Sequence, residues 1–135
     1  MAHDSALFRF LTGGTLTTLI IEEKCREMMT YGYQALKQFP KHERHVLGAE
    51  IRLSMLQLQR LIITAFKRYH KKTTLTDLDI ELAILKRRVR LAKDLHYLDI
   101  KKYQLWVGQL VELGKMIGGW IRSVNASTKK QVAAL

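Results

Sequence analysis

The run Lys86-Arg87-Arg88-Val89-Arg90, with Lys93 close behind, places five cations within eight residues. Leu82, Ile84, Leu85, Val89, Leu91, Ala92 and Leu95 interleave with them. A disordered basic tail lacks such apolar content. The pattern is that of an ordered helix with one apolar and one cationic side. Such a surface attracts polyanions, of which nucleic acid is the commonest. Lys86, Arg90 and Lys93 stand at i, i+4 and i+7 on one helix face, with Arg87 at its border. A second stripe lies earlier: Arg60, Lys67 and Lys71 at i, i+7 and i+11, flanked by Arg52 and Arg68. Two such stripes on neighbouring helices would form a ridge suited to phosphates, which arginine's planar fork grips bidentately. The competing reading is a solvated face that only keeps the chain dissolved. The scarcity of i, i+4 acids around residues 86–93 favours polyanion binding.

Other chemistry is poorly supported. His42 and His45 are one helical turn apart, but further metal ligands are not suggested nearby, so packing or solvent exposure is the simpler reading. No carboxylate pair suggests acid/base work, and Glu22, Glu23 and Glu27 read as a solvated helix face. Gly13-Gly14 and Gly118-Gly119 lack the spacing and the Gly-Lys-Ser/Thr ending of a phosphate loop. Cys25 reads as a small buried hydrophobe. Tyr103, Trp106 and Trp120 fall among apolar neighbours at helical spacing, so they pack rather than stack on bases. Catalytic residues, metal and cofactors are all expected to be absent. Binding should then be backbone-directed and strongly salt-dependent.

The elements that must carry these cations follow from composition and pattern. The chain has 135 residues, the size of one domain, with 47% apolar residues, 26% charged and a single proline. That supports a real core and favours helices throughout. The net charge of +11 is uneven. Residues 1–40 are neutral, whereas residues 41–72 hold eight cations against two anions. The lone cysteine excludes an intramolecular disulfide and suggests a reducing, cytoplasmic setting. No apolar run approaches the ~20 residues of a membrane-spanning helix, and Arg9 and Gly13-Gly14 break any signal-like stretch.

Residues 1–15 read as an irregular extension. A first helix is expected from about Leu16 to Gln38, weakened by Gly32 and ended by Phe39-Pro40. A second should span Lys41 to His70, with Leu47, Ile51, Leu58, Ile62 and Tyr69 along one stripe. A third, capped by Thr74 or Thr76, should run to Leu95 on a core face of Leu78, Leu82, Leu85, Val89 and Ala92. Asp99 should cap a fourth from Ile100 to about Val124, where Gly114 and Gly118 share a face open to close backbone approach. Residues 125–135 read as a frayed polar tail. Four helices with short connections over 16–124 predict an all-α, up-down-up-down antiparallel four-helix bundle.

Three pieces of this pattern resemble one known family. The run Phe39-Pro40-Lys41-x-Glu43-Arg44, the long apolar helix after it, and the closing Gly118-Gly119-Trp120-Ile121-Arg122-Ser123 are similar to the accessory variability determinant (Avd) proteins of diversity-generating retroelements. The likeness covers about Leu16 to Val124. It implies a non-catalytic protein that assembles into a barrel-shaped homopentamer. It also implies binding to the element's reverse transcriptase and to RNA or DNA, in support of mutagenic cDNA synthesis and retrohoming. The family's cationic positions on the third helix fall on Lys86 and Arg90. Arg87 and Arg88 depart from its pattern, which leaves open whether they face nucleic acid or a neighbouring subunit. Bundle proteins encoded in intervening sequences of 23S ribosomal RNA genes share the size and the proline. Their Ser-Ile-Pro-Ala-Asn-Ile-Ala-Glu-Gly-like stretch is missing from Ser54-Met55-Leu56-Gln57-Leu58-Gln59-Arg60. A basic scaffold docking an acidic protein, and an enzyme acting on nucleic acid, are the remaining alternatives; the second is the weakest.

Overall fold

The computed structural model describes residues 15–134, which are helical in five segments. These are α1 (Thr15–Leu36), a single turn α2 (Lys41–Arg44), α3 (Leu47–Lys67), α4 (Lys72–Asp94) and α5 (Ile100–Ala133). The extension expected over residues 1–15 falls almost wholly outside the described residues. Among those described there is no strand. The four long helices close a ring in the order α1, α3, α4, α5, each packed on two neighbours. Short connections make successive long helices antiparallel.

The core follows the apolar periodicity. Leu78, Leu82, Leu85, Val89 and Ala92 are all buried, as their spacing requires. On α5 the buried line is Trp106, Leu110, Leu113, Ile117 and Trp120; Tyr103, Val107 and Ile121 pack at its edge. Gly32 does not merely weaken α1. A β-carbon there would stand 2.7 Å from both Met55 Sδ and Trp106 Cζ2, so the missing side chain lets α1 seat against α3 and α5.

The long second helix of the sequence reading is interrupted. The chain bends at His45 and Val46, where Val46 takes φ −114°, ψ −94°. The Arg44 carbonyl at this bend accepts from Arg52 Nη1 at 2.9 Å. Arg44 itself donates through Nε to the Phe39 carbonyl and through Nη2 to that of Lys37, at 3.0 and 2.7 Å. The Phe39 ring is buried and lies 5.7 Å from that of Tyr97. The Phe-Pro-Lys-x-Glu-Arg run is thus the corner that joins α1 to α3.

α3 also stops before the expected His70. Arg68 is extended, and the Lys71 ammonium donates to the carbonyls of Ala65 (2.7 Å), Phe66 (3.0 Å) and Arg68, capping the helix. Tyr69, expected on the core stripe, is therefore 83% exposed beyond the helix end. Neither Thr74 nor Thr76 is an N-cap: α4 begins at Lys72, and both threonines lie inside its first turns. Asp99 does cap α5, accepting from the Lys102 backbone N–H at 2.8 Å. α5 does not end near Val124 but continues to Ala133, where the sequence suggested fraying. The absence of proline or glycine after Gly119 allows this, with Ala126, Lys129, Lys130 and Gln131 offsetting the weaker Ser, Asn, Thr and Val.

Candidate nucleic-acid interface

The nine cations singled out in the sequence separate into distinct settings. Lys86, half-buried, reaches from α4 across to α5. Its Nζ is 3.3 Å from where a β-carbon on Gly114 would stand. With Arg87 and Lys115 it lines an open groove of about 430 Å³ between the two helices, floored by Leu82, Ala83, Val111 and Gly114 and bounded by Asp79. Gly114 therefore admits a cationic side chain, where the sequence suggested a neighbouring backbone. Arg87 turns along its own helix, donating from Nη1 to the Ala83 carbonyl at 3.2 Å. Arg90 is exposed one turn further on, with no ion pair or side-chain hydrogen bond among the described residues. Lys93 completes the i, i+4, i+7 face but is engaged: its ammonium lies 5.0 Å from the Tyr103 ring centre and 3.0 Å from the Asp94 carboxylate.

Arg88 points the other way, toward α3, with its guanidinium 3.8 Å from the Glu50 carboxylate. The two arginines left open by the sequence thus part company, Arg87 on the groove and Arg88 on the α3–α4 seam.

The earlier stripe is largely consumed by the fold. Arg52 and Lys71 hold backbone carbonyls as described above. Arg68 Nη1 donates to Thr74 Oγ1 at 3.2 Å. Partial burial at the helix end also lowers the pKa of the Lys71 ammonium, because the charge loses some of its hydration. Arg60 and Lys67 remain exposed on α3, as does Arg68 just beyond its end despite the Thr74 bond. α4 stands between them and the α4–α5 groove, so the two stripes do not merge into one ridge.

Lys115 is a groove cation that charge density in the sequence does not mark. Its signal was weaker: one cation beside the glycine that opens the groove. The remaining reactive types are quiet. Cys25 is buried, and its thiol is pushed up to about 12, first by burial and then by the Glu22 charge, so it stays protonated. His42 and His45 are exposed around α2, and among the described residues no three possible ligands stand together. No helix among them is long and apolar enough to cross a membrane.

Fold and charge define a small, strongly basic, all-helical bundle protein. The family model described as bAvd-like matches residues 19–124, and the chain belongs to that family. The match takes in both the Phe39–Arg44 corner and the Gly118–Ser123 run. No curated protein matches the chain.

Proposed function

We propose that this chain is a non-catalytic accessory protein of a diversity-generating retroelement. In this reading it works in the cytoplasm as a homo-oligomer, a pentameric barrel by family likeness. It binds template RNA or cDNA together with the element's reverse transcriptase and supports mutagenic cDNA synthesis. Family membership supports the role. The observation that carries nucleic-acid binding is the convergence of Lys86, Arg87 and Lys115 on one groove, with the free Arg90 beside it. Phosphate oxygens suit such donors, and backbone contact of this kind carries little sequence information.

Self-association has its own support. Ile80, Ile84, Leu91 and Leu95 lie at i, i+4, i+11 and i+15 on the outer side of α4. Ile80, Leu91 and Leu95 are 46–52% exposed there, and Leu53 on adjacent α3 is 60% exposed. Apolar stripes of this kind mark association surfaces.

The test combines light scattering, for the subunit count, with RNA binding followed across salt. Lys86→Gln with Arg90→Gln should weaken binding and make the slope of log K against log salt shallower by roughly 1.4 for a single strand. Unchanged binding in a folded variant would remove the groove from the reading. Failure to co-purify with a co-expressed reverse transcriptase of the element would remove the partner. Capture of an acidic protein without RNA affinity would replace it with the scaffold alternative.

A further inference from the structure

α5 outlasts the bundle. Val124 is its last partly covered residue, and every residue from Asn125 to Ala134 is exposed. Cations recur along this helix at a heptad interval: Lys115, Arg122 and Lys129, each exposed. Seven residues make nearly two turns, so the three share one stripe with a drift of ~20° per step. Successive members are ~10 Å apart along the axis. None has an ion pair or side-chain hydrogen bond among the described residues. For Arg122 and Lys129 the sequence explains why: after Glu112 the chain has no acidic residue. Lys115 has Glu112 three residues before it and Asp79 on the same groove, yet is paired with neither.

The stripe continues the groove. Lys86 lies over Gly114, and one turn on the Arg122 guanidinium folds back over Gly118. A β-carbon there would stand 3.4 Å from Arg122 Nη1, and one at Gly119 would stand 3.8 Å from Nη2. Lys86 and Arg122 thus occupy adjacent turns of the same side of α5, and Lys129 carries the line onto the overhang.

Two ordinary explanations cover only part of this. A cation near a helix C-terminus offsets the helix dipole, but that effect fades within the last turn. It accounts for Lys129 and Lys130, not for Lys115 or Arg122. Solubility needs charge but no register.

We infer that Lys115, Arg122 and Lys129 form a phosphate-binding track that extends the α4–α5 groove beyond the bundle and holds the backbone of a nucleic acid strand. The inference deepens the nucleic-acid reading above and rests on it. The residues between the cations favour this occupant. Asn125, at i+3 from Arg122 and i−4 from Lys129, flanks the stripe and offers hydrogen bonds to phosphate and sugar. The overhang has no aromatic residue or leucine among Asn125–Ala133, so it lacks the apolar face that a lipid-surface helix requires.

The experiment is RNA binding by the full chain carrying Lys115→Gln, Arg122→Gln and Lys129→Gln. The probe is a mixed-sequence single-stranded RNA, and binding is measured across salt concentrations. A charge-matched control carries Lys37→Gln, Lys41→Gln and Lys101→Gln at the opposite end of the molecule. Circular dichroism melts establish that both variants fold. The track variant should bind more weakly, with a salt slope shallower by about 2, while the control keeps the parental slope. Equal losses in both variants, or a parental slope in the track variant, overturn the track. Loss of binding only to phosphatidylserine vesicles, with RNA binding intact, overturns it in favour of a membrane role. If the parent binds no RNA, the underlying reading falls with it. If the parent binds and only the Lys86→Gln, Arg90→Gln variant weakens, the reading stands and the track falls.

Discussion

The Lys86 ammonium of α4 lies over Gly114 of α5, 3.3 Å from the place a β-carbon would take. The contact is with the far end of a flexible side chain. A methyl group there displaces Lys86 slightly and meets Leu82 Cδ2 at an ordinary 3.4 Å. Gly114→Ala should therefore raise stability by roughly 0.5–1 kcal/mol, the helix preference of alanine over glycine. Gly32→Ala should do the opposite. Its methyl would meet Met55 and the rigid Trp106 ring at 2.7 Å, and the overpacking, about 1–3 kcal/mol, outweighs the propensity gain. Denaturant melts of the two variants measure the contrast. Stabilisation by both would show that the helices part more easily than the packing at Gly32 implies, and destabilisation by both that Lys86 does not give way at Gly114.

Lys71 separates charge from binding. Its ammonium caps the α3 carbonyls of Ala65 and Phe66. Lys71→Met should cost about 1–3 kcal/mol, the range for losing hydrogen bonds to a charged donor. RNA affinity measured well below the melting temperature should stay at the parental value. A drop in affinity with an unchanged melt would return Lys71 to the binding surface.

His96 sits just past the end of α4 with φ 62°, a left-handed conformation that glycine adopts without strain. The Tyr97 N–H closes the turn on the Ala92 carbonyl at 2.9 Å. His96→Gly should stabilise the fold by about 1 kcal/mol. Thermal or denaturant unfolding reads this directly, and a destabilised variant would mean that the imidazole has contacts worth more than the strain.

Asp99 gives a pH dependence. The Lys102 backbone N–H and then its ammonium hold the Asp99 carboxyl below its usual range. A depressed folded pKa contributes stability above the unfolded value of about 3.9. That contribution fades as pH falls through the folded pKa. Asp99→Asn keeps a side-chain acceptor at the N-cap but does not titrate. The parent should therefore lose stability relative to this variant on acidification, as melting curves below neutral pH can show. Parallel curves would assign the acid sensitivity to other carboxylates.

The core of α4, the Asp99 cap and the all-helical class were legible because each depends on local spacing. Leu78 through Ala92 repeat at helical intervals, and that repeat survives any packing partner. The bend at Val46 and the early end of α3 were not legible. Both depend on where Arg52 and Lys71 find carbonyls, which only the folded chain decides. The same gap affected the candidate site. Charge density marked residues 86–93, but only the folded chain shows Arg88 turned to Glu50 and Lys93 to Tyr103. The sparse cations of α5 were the reverse case: low density, regular spacing, and no acid anywhere after Glu112 to neutralise Arg122 and Lys129.

The overhang of α5 gives the molecule a polarity. It leaves the bundle at the end where α4 begins and α3 finishes, and the opposite end has no matching projection among the described residues. In any closed cyclic assembly every copy is related by rotation about one axis. All the overhangs would then emerge around the same rim. Such a ring would have a bristled side and a smooth one, so a strand or partner meeting it end-on would meet two different objects, and direction of approach would become a property the assembly can discriminate.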